Sequence, residues 1–253
     1  MTIKRRLPIR AGGGVLYASG KVGGLKYLFK PADVWDPELL RIAGALVRSG
    51  DSVWDVGTNV GLFSKAAACL AGPTGAVLSV EADLDAVRLL NRTCRKHDPA
   101  HAEMTILPVA IGEETGVIRF AIAKRARAAN AIEGFGSTQM GGVLEVRTLP
   151  CFTLDDLSSH FRPPDVLKID VEGAECLVLR GATTILRDVR PLVYCEIQSA
   201  SWHEVTSLLE RHDYLLRDGE GFDGGLDCPP VDQHTSNLVA IPREKGVLPK
   251  GRA

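Results

Sequence analysis

Apolar positions along this chain follow two alternating periods. Short apolar runs bounded by turn residues read as buried strands, and longer stretches with apolar residues at every third or fourth position read as helices. Strands are expected at Val53–Val56, Ala76–Val80, Thr105–Val109, Asp165–Asp170 and Leu192–Ile197. Between them lie helical patterns over Val60–Leu70, from Asp83 to about Lys96, from Ala174 to about Leu186, and over Ser201–Arg211. A further helix opens at Trp35-Asp36-Pro37-Glu38 and runs to about Arg48, with Asp36 as N-cap and Pro37 at the first helical position. It leads into the central motif, where it could cover a pocket; packing on the sheet edge is the plainer role. A short helix is expected at Thr153–His160, and an antiparallel edge pair at Tyr214–Leu216 and Asn237–Ile241. Strands separated by helices of this length imply an α/β fold with a parallel sheet and right-handed crossovers.

Two regions break the rhythm. Residues 1–35 form a basic, glycine-rich arm in which Val15 and Tyr17 against Leu25, Tyr27 and Phe29 suggest a weak hairpin. Within the main domain, 36–241, residues 113–150 carry alternating strands at Gly116–Ala123 and Val143–Leu149 around a Gly/Ser/Thr/Gln-rich stretch. With Lys124, Arg125 and Arg127 at its edge, this reads as an insertion at the mouth of a site; a mobile surface loop is the plainer alternative. Residues 242–253 read as a disordered tail.

Composition narrows the class. A chain of 253 residues with a net charge of −1 suits one α/β core and gives no whole-molecule field for a polyanion. The first 32 residues nevertheless carry seven Lys/Arg and no acid, which fits a solvated arm or a contact with nucleic acid or anionic lipid. The six cysteines form no C-x-x-C pair and no zinc-type cluster, so a reducing, cytoplasmic setting without a metal site is expected. No apolar run is long enough for a membrane span, and no signal-peptide pattern opens the chain.

The chemistry gathers around Val53-Trp54-Asp55-Val56-Gly57-Thr58-Asn59-Val60-Gly61. A strand runs into a glycine turn and then a helix, and the next strand ends in Val80-Glu81. Glycines 57 and 61 allow close backbone approach, and the acid can hold a ribose diol. The spacing D-x-G-x-N-x-G is neither the dinucleotide fingerprint nor a phosphate loop. It suits S-adenosylmethionine (SAM), a nucleoside with an amino-acid tail and no phosphate; an ordinary strand–turn–helix corner is the alternative. Glu81, Asp170 with Glu172, and Glu196 all fall with the glycine turn at strand C-termini, where open sheets bind ligands. A cationic sulfonium ligand gives a reason for acids on that rim.

The segments DSVWDVGTNVGLFS (51–64), LSVEAD (78–83), VLKIDVEGAECLVLRG (166–181) and LVYCEIQ (192–198) resemble the FkbM-type SAM-dependent methyltransferases. The resemblance implies a class I methyltransferase, Rossmann-like, with a seven-stranded, mostly parallel sheet flanked by helices. It implies methyl transfer to a hydroxyl of a small molecule or glycan. It also implies that Asp55, Gly57, Asn59 and Gly61 surround the methionine part of SAM, that Glu81 holds the ribose and that Ala110 meets the adenine. Asp170 and Glu172 would line the junction of cofactor and acceptor; a carboxylate there could take the acceptor proton, Asp170 the first choice and Glu172 the next, the alternatives being that Asp170 only binds the methionine ammonium or that both cap the following helix. Thr58, Ala82-Asp83 and Gln198 depart from the usual Ala, Pro-Asn and His. The alternatives are a nucleic-acid methyltransferase, disfavoured by the absence of an N-P-P-Y/F-type pocket and by the charge balance, and a non-catalytic SAM-binding protein.

Overall fold

The structure is a computed structural model that describes residues 2–8, 11–20, 22, 35–95, 98–124, 129–136, 141–220, 222–224, 231 and 233–246. The main sheet contains β3 (Ser52–Val56), β4 (Ala76–Val80), β5 (Glu103–Leu107), β10 (Val166–Ile169), β11 (Leu192–Glu196), β12 (Tyr214–Asp218) and β13 (Asn237–Pro242). Its seven strands run in the order β12-β13-β11-β10-β3-β4-β5. All neighbours are parallel except those of β13, which is antiparallel to both β11 and β12. Every residue of β3 is buried, as its central place between two helical layers requires.

On one face pack α1 (Pro37–Leu46), α2 (Leu62–Ala71) and α3 (Leu84–Cys94); on the other pack α4 (Leu154–Leu157), α5 (Glu175–Arg180) and α6 (Trp202–Arg211). Asp36 caps α1 by accepting from the Leu39 N–H at 3.2 Å, and Asp83 caps α3 by accepting from Asp85 at 3.0 Å. Both caps stand where the sequence put them.

Two helix bounds are corrected, and the N-terminal segment pairs with a strand that the sequence did not single out. An N-terminal hairpin joins β1 (Thr2–Arg6) to β2 (Val15–Ser19); residues 25–29, the expected partners of Val15 and Tyr17, lie outside the described residues. Leu16 and Ala18 are fully buried, and Thr93 Oγ1 accepts from the Tyr17 N–H, so this hairpin belongs to the core. α2 starts at Leu62 rather than Val60, because Gly61 takes a left-handed φ of 85° and closes a turn onto Thr58. The helix expected to reach Leu186 stops at Arg180. A separate π-helical turn, Ile185–Val189, follows, with the Thr184 and Ile185 N–H groups capped by Asp155.

The irregular stretch in residues 113–150 is largely a second sheet. β6 (Ala110–Ile111), β7 (Gly116–Ala123), β8 (Ala131–Ile132) and β9 (Val143–Phe152) pair in the order β6-β9-β7-β8. The expected tail begins with β13 reaching Pro242 and a 3-10 turn at Arg243–Lys245; Arg125, Arg127 and residues 247–253 lie outside the described residues.

Candidate active site

The C-terminal ends of β3, β4, β10 and β11 open onto one cleft. Its walls include Gly57, Asn59, Glu81, Ala110, Asp170, Glu172 and Glu196. Asp36 and Leu39 reach it from α1, and Phe120, Asn130 and Ile132 from the second sheet.

The glycine turn has little latitude. Gly57 has φ 79°, and a Cβ there would fall 1.7 Å from the Asp170 carbonyl oxygen. The Gly57 and Thr58 N–H groups donate to Val80 O at 3.0 and 3.2 Å. The Thr58 hydroxyl bridges Asp55 O at 2.8 Å and Val80 O at 3.2 Å, which accounts locally for a threonine where alanine is usual. Asn59 follows with φ 54°, a left-handed conformation that asparagine tolerates better than most residues.

Glu81 is buried and ordered by two backbone donors, Asn59 N–H to Oε2 at 2.6 Å and Asp83 N–H to Oε1 at 2.7 Å. Each oxygen keeps acceptor capacity, enough for the two hydroxyls of a ribose. Burial pushes its pKa up to about 7, against the pull of those two N–H groups. Beside it, Val109, Ala110, Ile111, Phe120 and Ile132 offer an apolar slot of the kind that takes a flat purine.

Two of the expected site residues lie off the wall. Asp55 is fully buried beneath the glycine turn. Its Oδ2 accepts from Ser64 Oγ at 2.6 Å, and Ser64 accepts in turn from Ser79 at 2.8 Å. Its Oδ1 sits 3.2 Å from Lys168 Nζ, close enough to pair as ions but off line for a hydrogen bond. Gly61 turns the chain into α2, where a Cβ would meet Leu90 Cδ2 at 2.5 Å.

Lys168, which the strand pattern did not single out, organises the centre. Its Nζ donates to Gly57 O at 2.9 Å and to Asp170 Oδ2 at 3.2 Å, besides facing Asp55. Burial alone disfavours its charge, but the carboxylates of Asp170, Asp55 and Glu196 outweigh that and hold the ammonium firmly protonated. Glu172 stands at φ 55°, unusual for a glutamate, and accepts from Gln198 Nε2 in a long contact of 3.4 Å. Burial, and then the neighbouring charges of Asp170 and Glu175, raise its pKa to about 7. Burial and Asp170 do the same for Glu196. Glu175 instead braces the loop, accepting from Gly173 N–H at 2.7 Å and Ser201 Oγ at 3.0 Å.

A nucleoside-sized slot closed by a two-oxygen acceptor, with acids at its other end, suits a ligand carrying a ribose and a positive charge. The sequence matches the Methyltransferase FkbM domain over residues 55–216. The chain belongs to the FkbM methyltransferase family. It is 27% identical over 175 residues to the hexuronic acid methyltransferase AglP of Haloferax volcanii, a match covering 69% of this chain and 67% of that relative. Among solved structures it is similar to a methyltransferase FkbM from Methylobacillus flagellatus, with a TM-score of 0.52 and 16% identity. That likeness covers 78% of this chain but only 45% of the other, so the chain spans less than half of that FkbM protein. A fainter likeness, TM-score 0.46 at 17% identity over 81% of this chain and 76% of the other, is to Aeropyrum pernix fibrillarin with natively bound SAM. The seven-stranded order and the family match agree on a class I methyltransferase fold. SAM is the cofactor of the FkbM family, and the donor set of the cleft fits it. Among the described residues no helix is long and apolar enough to cross a membrane, and no acid, His or Cys cluster has the makings of a metal site.

Proposed function

We propose that this FkbM methyltransferase methylates a hydroxyl oxygen of a sugar within a glycan. The observation that carries the proposal is the convergence of Gly57, Glu81, Ala110, Asp170 and Glu172 on one cleft. Glu81 holds the ribose, Asn59 and its neighbours the amino-acid tail, and Ala110 with Phe120 the adenine. When bound, SAM supplies a methyl group on a cationic sulfur, poised for in-line displacement. Asp55 serves from below, fixing the turn through Ser64 and Lys168 rather than touching the ligand.

Of the two candidate bases, Glu172 suits the task better than Asp170. Asp170 Oδ2 already accepts from the Lys168 ammonium at 3.2 Å, which commits that oxygen to holding the lysine. Glu172 has a pKa near the working range, and general bases operate best there. Its left-handed backbone is the kind of local strain that active sites keep. Glu172 would take the hydroxyl proton as the oxygen attacks, with Gln198 steadying its carboxylate in place of the usual histidine.

The name of the archaeal relative, a hexuronic acid methyltransferase, supports a sugar acceptor. The test is transfer of labelled methyl from SAM to a panel of neutral and acidic oligosaccharides, polyketide alcohols and RNA. Alkali-stable label on a sugar, the mark of an ether, is expected. Alkali-labile ester label, or label on RNA alone, contradicts the proposal.

A further inference from the structure

A second cavity lies between the loop closing the N-terminal hairpin and the outer side of α2. Arg6, the stretch Gly12 to Val15, Lys65, Asp98 and His101 line it. None of these residues lines the methyl-transfer cleft.

Its centre is Lys65, only 4% exposed. Its polar contact is the His101 Nδ1 atom at 3.5 Å, a long and weak one. Among the described residues no carboxylate lies within ion-pair distance of this ammonium. The contrast with Lys168, the other buried lysine among the described residues, is direct: Lys168 has carboxylates at 3.2 Å on two sides. Taking an ammonium out of water without a counter-charge is costly, and natural sites supply the missing charge.

The loop opposite is built to lie bare against this lysine. A Cβ on Gly14 would come within 2.6 Å of Lys65 Cε, and one on Gly12 within 2.1 Å of Cys69 Cβ. Gly12 and Gly13 both take positive φ, 81° and 64°, and the Cβ position of Gly13 is open. Backbone therefore forms this wall without shielding side chains, and the exposed Arg6 adds a second cation at the rim. The Gly13 N–H is committed to Pro8 O at 3.1 Å and Gly14 O to the Leu7 N–H at 2.8 Å, so the charge that faces the cavity comes from the two cationic side chains.

We propose that this cavity binds a small tetrahedral oxyanion of phosphate or sulfate type, free or as the end group of a larger molecule, with Lys65 as its principal counter-charge.

The test is calorimetric titration of the full chain with inorganic phosphate at constant ionic strength, with chloride as control, beside the variants Lys65→Met and Arg6→Ala. Saturable one-to-one binding is expected, weakened at least tenfold in Lys65→Met and several-fold in Arg6→Ala. S-adenosylhomocysteine affinity should be unchanged in Arg6→Ala, which separates this site from the cofactor cleft. Phenyl phosphate is the second arm: binding like phosphate marks an end group, and exclusion marks the free ion. Non-saturable heat, or equal phosphate affinity in wild type and Arg6→Ala, overturns the proposal. The Arg6 variant decides even if Lys65→Met fails to fold, because Arg6 lies at the surface.

Discussion

Lys168 and Asp55 show how much of this site rests on one buried ion pair beneath the glycine turn. Their side chains are 3% and 0% exposed, and removing the lysine leaves a carboxylate uncompensated in the core. Lys168→Met is therefore expected to destabilise the protein by roughly 3–5 kcal/mol, measured by denaturant unfolding. An unchanged midpoint would show that Asp55 finds another partner. Glu172 makes a different prediction. With its pKa near 7, methyl transfer should rise through neutral pH as the carboxylate ionises and level off above it. Glu172→Gln should remove that limb and lower kcat by about 10²–10⁴-fold, the usual worth of a general base, while S-adenosylhomocysteine affinity stays within a few-fold. A preserved pH profile in this variant would return the base role to another group. At this scale the sequence is readable wherever a residue type is out of place. Glu81 closing an apolar strand is such a case. Lys168 is not, since a lysine near a strand end reads as solvated; only the pairing of β10 with β3 places it against Asp55.

Among the elements, the turn from β3 into α2 is the least tolerant of change. Gly57→Ala combines a disfavoured positive φ with a backbone clash against Asp170, neither of which a rotamer change relieves. It is expected to lower the melting temperature and abolish S-adenosylhomocysteine binding, whereas Gly116→Ala, whose added methyl meets nothing within 4 Å, should do neither. Thermal unfolding of both variants checks this, and a neutral Gly57→Ala would mean the strands do not press together there. The strands and caps of the main sheet are legible because their periodicity and capping residues are local. The split after Arg180 is not, because the apolar pattern continues to Leu186 while the break comes from packing. A Cβ on Gly181 would lie 2.2 Å from Gly112 O, and Asp155 captures the next N–H groups. The second sheet is only half legible. β7 and β9 alternate clearly, but β6 and β8 are two residues long and exist only through their partners. The sequence puts this stretch at the mouth of a site and names Ala110, but does not single out Phe120, Asn130 and Ile132, which also line the cleft. It is tied down by Asp83, which accepts from Asn130 Nδ2 at 3.0 Å and Arg147 Nη1 at 3.2 Å, in addition to capping α3.

For the molecule as a whole, the cleft is an electrostatic load that a cationic nucleoside relieves. Glu81, Glu172 and Glu196 each have a pKa raised to about 7, burial being the largest cause in every case. In the unfolded chain these groups titrate near 4.5. Between the two values the folded protein holds protons that the unfolded chain has lost. Their contribution to stability is complete below about pH 4.5 and is lost as pH rises through about 7. The ligand-free protein should thus melt at lower temperature at pH 8 than at pH 6, with the difference reduced in Glu196→Gln. A flat profile in the wild type would mean these acids are already ionised when the cleft is empty. The central claim, that the rim formed by Gly57, Glu81 and Asp170 grips an adenosine, is tested most directly by equilibrium titration with S-adenosylhomocysteine. One site per chain is expected, weakened by roughly 1–3 kcal/mol, or about tenfold to over a hundredfold, in Glu81→Ala. No binding by the wild type, or an equal dissociation constant in the variant, would contradict it.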